Sequence, residues 1–304
     1  MKKIKVFILL ALALAAVSCS EDDLDSKSIF DTSSPERNAF ETWILNNYTE
    51  PYNIDLKYRF EDIESDMKYN VTPAAYDKSV ALAKLVKYLW IEAYEELVGQ
   101  EFVATYCPKV LHFVGSPEYE KSGGSMVLGT AEGGLKITLF NVNGLNPENP
   151  DAEILNEWYF KTMHHEFAHI LNQKKNYDAD FKNVTPSDYT AQWFNENFMK
   201  CRRLGYISKY SRENPDEDFA EMVAWMLTRT KEDFDKLIDD PRLPAEAQNK
   251  LRRKEEFVRK YFKEAYGIEI YELQAEIMKQ VSEIISDDYD LFNVPGYTPS
   301  ITNN

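Results

Sequence analysis

The sequence predicts an α+β fold with a small mixed sheet, one histidine-bearing helix and a mostly helical C-terminal part. Three observations point that way. Between residues 109 and 142, short β-type runs are separated by the glycine pairs Gly123-Gly124 and Gly133-Gly134. Residues 151–175 then carry apolar side chains at helical three- and four-residue steps, and include three of the chain's four histidines. From Asn214 to Ile285 the helical period returns in charge-rich stretches.

Taken in order, residues 1–18 read as an export signal. Lys2, Lys3 and Lys5 form a basic start, and residues 6–17 are an apolar core too short to span a bilayer. Ala16-Val17-Ser18-Cys19 resembles a bacterial lipoprotein cleavage box, with Cys19 as the lipidated residue and Ala16 where leucine is usual. The acidic run Ser20-Glu21-Asp22-Asp23 resembles the surface-export signal of some Gram-negative lipoproteins. Residues 19–36 then form a polar, acidic tether. The expected location is outside the cell, lipid-anchored to the outer membrane and facing the cell surface.

Residues 36–47 read as a first helix with Phe40, Trp43 and Ile44 on one side, and residues 52–60 alternate like a half-buried strand. A long helix is expected over 73–98, with Val80, Leu82, Leu85, Leu89, Ile91 and Leu97 as its apolar positions. Strands follow over 109–114, 125–130 and 134–142. His112, inside the first of these, reads as a structural histidine.

The next helix starts at Pro150-Asp151, with Glu153 in its first turn and Lys174 and Lys175 in its last. Ile154, Trp158, Phe160, Met163, Phe167 and Ile170 make its core-facing stripe. His165 and His169 lie off that stripe and face a cleft. Residues four apart on a helix stand on one face, so both imidazoles can aim at one point with Glu166 beside them. The sequence His165-Glu166-Phe167-Ala168-His169 thus spells His-Glu-x-x-His: two ligands for a catalytic zinc and a carboxylate to act on its water, the zincin arrangement. In a zincin-like sheet an edge strand pairs with extended substrate. Residues 136–140 are the candidate for that strand, with an ordinary interior strand as the alternative.

A catalytic zinc takes a third protein ligand. No histidine follows His169, and Asn172 and Lys175 exclude a downstream Gly-x-x-His extension. The ligand must then be a carboxylate, or Cys201. Asn214-Pro215 starts a helix on which Glu217 and Glu221 share a face. Either Glu217 ligates while Glu221 bonds the outer nitrogen of a ligand histidine, or Glu217 answers Asn214 in a capping box and Glu221 ligates.

The pair His165-Glu-Phe-Ala-His169 and Glu217-Asp-Phe-Ala-Glu221, with Tyr210 upstream, resembles the gluzincin branch, in particular the anthrax lethal factor and Pro-Pro endopeptidase catalytic domains. Over residues 38–230 the chain is similar to the zinc-binding metallopeptidases found as bacterial surface lipoproteins. Trp43-Ile44, Pro51-Tyr52-Asn53-Ile54 and the run from Asn214 to Glu221 carry that resemblance. It implies one catalytic Zn2+ held by His165, His169 and Glu217. It also implies Glu166 as general base, Tyr210 as a helper of the transition state, and hydrolysis of peptide bonds in extracellular proteins or glycoproteins.

Residues 231–285 read as helices packing behind the site and residues 286–304 as an irregular tail, leaving 37–285 as a single catalytic domain. The chain's net charge is −16, and losing residues 1–18 would make it three charges more negative. Such a balance argues against nucleic acid and anionic membrane surfaces as partners, leaving a peptide or protein substrate and membrane attachment only through the lipid. Cys107 and Cys201 could pair or stay as buried thiols. The 19 tyrosines, 17 phenylalanines and 5 tryptophans keep open a second reading, a surface lipoprotein that binds glycans or partner proteins without turnover.

Overall fold

The main sheet takes its strands from the β-rich segments, but in an order that the sequence does not display. In the computed structural model, which describes residues 36–61, 69–119, 126–127, 129–132, 135–286 and 288–300, four strands lie in the order β1-β2-β6-β5. They are β1 Asp55–Lys57, β2 Val110–Phe113, β5 Gly129–Glu132 and β6 Lys136–Leu139. The first three in that order run parallel and β5 runs antiparallel to β6. A separate two-stranded ribbon pairs β3 Glu118–Tyr119 with β4 Met126–Val127. Residues 1–35, with the expected export signal, Cys19 and most of the expected tether, lie outside the described residues, as do both glycine pairs.

Three strand expectations change. The segment expected over 125–130 divides between the ribbon and β5. The candidate edge strand at 136–140 is interior: β6 pairs with β2 on one side and β5 on the other, so its backbone groups are taken on both sides. Its side chains agree, since Ile137, Thr138 and Leu139 are all buried, the run expected of a central strand. The edges belong to β1 and to β5, the strand next to β6. The strand expected over 52–60 shrinks to β1, because Glu50–Tyr52 closes a helical turn and Asn53 turns the chain at φ 55.

Helix α1, Ala39–Ile44, begins with the capping box of Asn38 and Glu41 and buries Phe40, Trp43 and Ile44 as expected. The long helix is realised as α2 Tyr76–Val86, a π segment Lys87–Glu92 and α3 Ala93–Val98. Residues 79–87 are buried without a break, the mark of a helix inside the core. A fourth helix, α4 Gln100–Tyr106, leads into β2.

The histidine helix starts where Asp151 accepts the Ile154 amide at 3.0 Å. It runs as α5 Ala152–Leu155, a π segment Asn156–Phe160 and α6 Lys161–Lys174. The π turn adds residues to one turn and shifts the phase of the faces on either side of it. Phe160, Met163, Phe167 and Ile170 are buried as expected, but Ile154 is 41% exposed. The predicted stripe fails only on the N-terminal side of that turn.

After α7 Phe198–Leu204 comes α8 Pro215–Leu227, which packs lengthwise on α6. Behind them lie α9 Lys231–Ile238, α10 Ala245–Tyr266 and α11 Ile270–Ile285, which bury Phe234, Leu251, Phe262 and Ile277 in the same core. Residues 288–300 take no helix or strand, yet they dock. Tyr289 stacks on Tyr88 at 4.1 Å, Leu291 and Val294 are buried, and Tyr297 and Ser300 donate to Asp77. Cys107 and Cys201 are buried free thiols. Among the described residues no helix is long and apolar enough to cross a membrane.

Candidate metal centre

Helix α6 sets His165 and His169 one turn apart, with their Nε2 atoms 3.1 Å from each other. The neighbouring helix α8 brings Glu217 to the same point, its Oε2 lying 2.8 Å from His165 Nε2 and 3.3 Å from His169 Nε2. Asn214 fixes where that carboxylate stands, because its side chain accepts the Asp216 and Glu217 amides and starts the helix there. Among the described residues this is the one group of three such side chains whose ligand atoms all lie within 4.8 Å of one another. Zinc bonds of about 2.1 Å in a tetrahedron separate ligand atoms by roughly 3.4 Å, so this donor set fits zinc after small side-chain adjustments.

Glu221 stands on the other side of His165. Its Oε1 lies 3.1 Å from His165 Nδ1, away from the point where the Nε2 atoms meet. Its Oε2 accepts from Ser208 Oγ at 2.5 Å and from Trp225 Nε1 at 3.1 Å, with Lys161 Nζ at 3.1 Å. A carboxylate so placed orients the ring and fixes its tautomer. Lys161 precedes His165 by one helical turn and Trp225 follows Glu221 by one, so helical spacing could have revealed both. Ser208 sits in a loop and gives no such signal.

Charge within the site follows from these contacts. Burial alone would lower the His165 pKa, but hydrogen bonds to Glu217 and Glu221 overrule it and raise it to about 9. Burial would likewise raise Glu217, yet His165 and His169 hold it well below the usual carboxylate range. Glu221 is held low against its own burial by Lys161, His165 and Ser208. Glu166 is raised, chiefly by burial, with the two histidines pulling the other way. Tyr210 opens a short 3-10 turn, Tyr210–Arg212, and its ring lies against the His165 ring at 5.6 Å with Trp193 packed on it at 4.8 Å. Burial and the Glu217 charge push its pKa far up, so the phenol keeps its proton.

Three other candidates stand apart from this group. His164 is fully buried, bonds Tyr94 through Nδ1 at 3.3 Å and is kept neutral by burial, with a pKa of about 3. His112 is buried within β2, and Cys201 is a buried thiol whose pKa burial raises.

A cleft of about 860 Å3 opens at the site, lined by Glu166, His169, Tyr210 and Glu217 and extending along the end of α6. Strand β5 approaches α6 closely: a Cβ on Gly129 would lie 2.3 Å from Thr162 Cγ2, so only glycine allows this spacing.

A family model described as "Putative zinc-binding metallo-peptidase" matches residues 33–271. Among solved structures, the crystal structure of a "putative zinc-binding metallo-peptidase" from Bacteroides caccae ATCC 43185 is similar with a TM-score of 0.73. Its sequence is 39% identical, and the match covers 89% of this chain and 100% of that one. No curated protein matches. With the family model spanning most of its length, the chain belongs to the zinc-binding metallo-peptidase family.

Proposed function

We propose that the protein is a zinc-dependent metalloendopeptidase acting on extracellular proteins or glycoproteins. His165, His169 and Glu217 hold one Zn2+. The observation that carries this reading is the meeting of His165 Nε2, His169 Nε2 and Glu217 Oε2 at the mouth of a cleft that Glu166 also lines.

Zinc bound there supplies Lewis acidity to a water and to a carbonyl oxygen. Glu166, with its pKa raised by burial, takes the proton from the attacking water and delivers it to the departing amine. Tyr210 offers its phenol hydrogen to the carbonyl oxygen as charge gathers there. Glu221 positions His165. The outer edge of β5, at the end of the sheet and against α6, pairs with the extended peptide.

The test is cleavage of a peptide library by zinc-loaded and chelated protein, with two variants run beside them. Glu166→Gln should keep zinc and lose roughly 10²–10⁴-fold in turnover. Tyr210→Phe should lose on the order of 10²-fold in kcat with KM little changed. Stoichiometric zinc without any cleavage would instead favour the binding-protein reading.

For location, we propose export and lipidation at Cys19, with the chain held at the outer membrane surface. Labelled fatty acid should attach to the wild-type chain and not to Cys19→Ala; equal labelling would remove that anchor.

A further inference from the structure

Resting on the peptidase reading above, we infer that the cleft beside the metal centre selects peptides with an uncharged, hydrogen-bonding side chain next to the scissile bond. Amides and hydroxyls are the favoured groups, and aliphatic side chains are not. Helix α6 continues the face of His169 through Asn172 and Gln173, three and four residues on, and Asn176 follows just past the end of the helix; all three line the cleft. Among the described residues, no leucine, isoleucine, valine, methionine or phenylalanine lines it. Gln173 and Asn176 are exposed and their side chains make no hydrogen bond among the described residues, so the side-chain amides are open to a ligand.

One wall is already fixed in place. Asn172 Oδ1 accepts the Tyr177 amide at 3.0 Å, the Tyr177 phenol donates to Asp216 at 2.6 Å, and the Tyr177 ring stacks on Phe219 at 4.3 Å. Polar groups held this way cost little to order when a ligand arrives. An aliphatic side chain would strip water from these amides and return no hydrogen bond. Of the charged groups in the lining, Glu166 and Glu217 belong to the metal centre, and the two beyond it, Lys182 and Asp216, are of opposite sign. The volume exceeds that of one side chain, so residues flanking the scissile bond can also enter.

The experiment uses zinc-loaded protein and pairs of peptide hydroxamates that differ only in a glutamine or a leucine side chain beside the zinc-binding group. Both chain directions from that group are measured by titration calorimetry. The glutamine member should bind about tenfold tighter in one direction. In a Gln173→Leu, Asn176→Leu double variant, checked for folding by circular dichroism and for zinc content, that preference should vanish or reverse. Equal or tighter binding of the leucine member in both directions overturns the inference and leaves the metal centre standing. A preference unchanged in the double variant overturns it as well. Failure of every hydroxamate to bind would strike the peptidase reading itself, and the inference with it.

Discussion

His165 carries two opposed demands: it must be neutral to ligate a metal, yet two carboxylates flank it. Without metal, Glu217 and Glu221 hold a proton on the ring and its pKa stands near 9. A metal must displace that proton, so zinc affinity should climb with pH and level off above about pH 9. The same shift bears on stability. The folded pKa lies above the ordinary histidine value of 6.5, so the ion pair's stabilisation is fully present below that value and fades as pH rises through about 9. Chelated protein should therefore lose melting temperature between those limits, and zinc-loaded protein should not. A flat melting profile for the chelated protein across that range would show that His165 is neutral throughout. At this scale the sequence was informative but incomplete. Spacing alone singled out His165, Glu166 and His169, whereas Glu217 and Glu221 share one helix face and only the family resemblance favoured Glu217 as the ligand. Which imidazole nitrogen each carboxylate reaches depends on how α8 lies against α6, and helix packing is not written in either helix.

Elements were legible where their signal is local. Capping residues marked the starts of α5 and α8, and the histidine helix came out of its own period. Strand order was not legible, because edge and interior depend on partners distant in sequence. Lys136–Leu139 is as rich in β-formers as an edge strand would be, and only its pairing on both sides reveals its place. The same blindness hid Gly129, which lies beside α6 only after the sheet has formed. Its role is testable. In Gly129→Ala the new methyl meets Thr162, so β5 or α6 must give way at a cost of about 1–3 kcal/mol. Melting temperature should fall, and KM for peptide should rise if β5 holds the substrate. Adding Thr162→Ala removes the obstructing Cγ2 and should restore both. A Gly129→Ala protein with wild-type melting and KM would show that the close approach is not required.

Across the whole molecule, the C-terminal helices do more than cover the core. Lys254 on α10 reaches Asp218 on α8 at 2.6 Å, with both side chains fully buried. The ammonium also donates to the Gly205 carbonyl at 2.8 Å and lies 4.1 Å from the Tyr206 ring centre, while Tyr189 donates to Asp218 at 3.0 Å. Asp218 adjoins Glu217, so this pair ties the helix that presents the third candidate ligand to helix α10 in the C-terminal part. Neither partner was evident in the sequence, where Lys254 sits among many charges of an outwardly solvated helix. Removing one charge of a buried pair leaves the other without compensation, so Lys254→Met should cost about 3–5 kcal/mol. Replacing both, with Lys254→Met and Asp218→Leu, should recover much of that loss, because the isolated charge is gone. Zinc affinity separates a structural pair from one that also positions the centre. If the pair sets the stance of α8, the double variant regains stability but still binds zinc more weakly than wild type, as measured by competition with a chromogenic chelator. Full recovery of zinc affinity in the double variant would confine the pair to holding helices together.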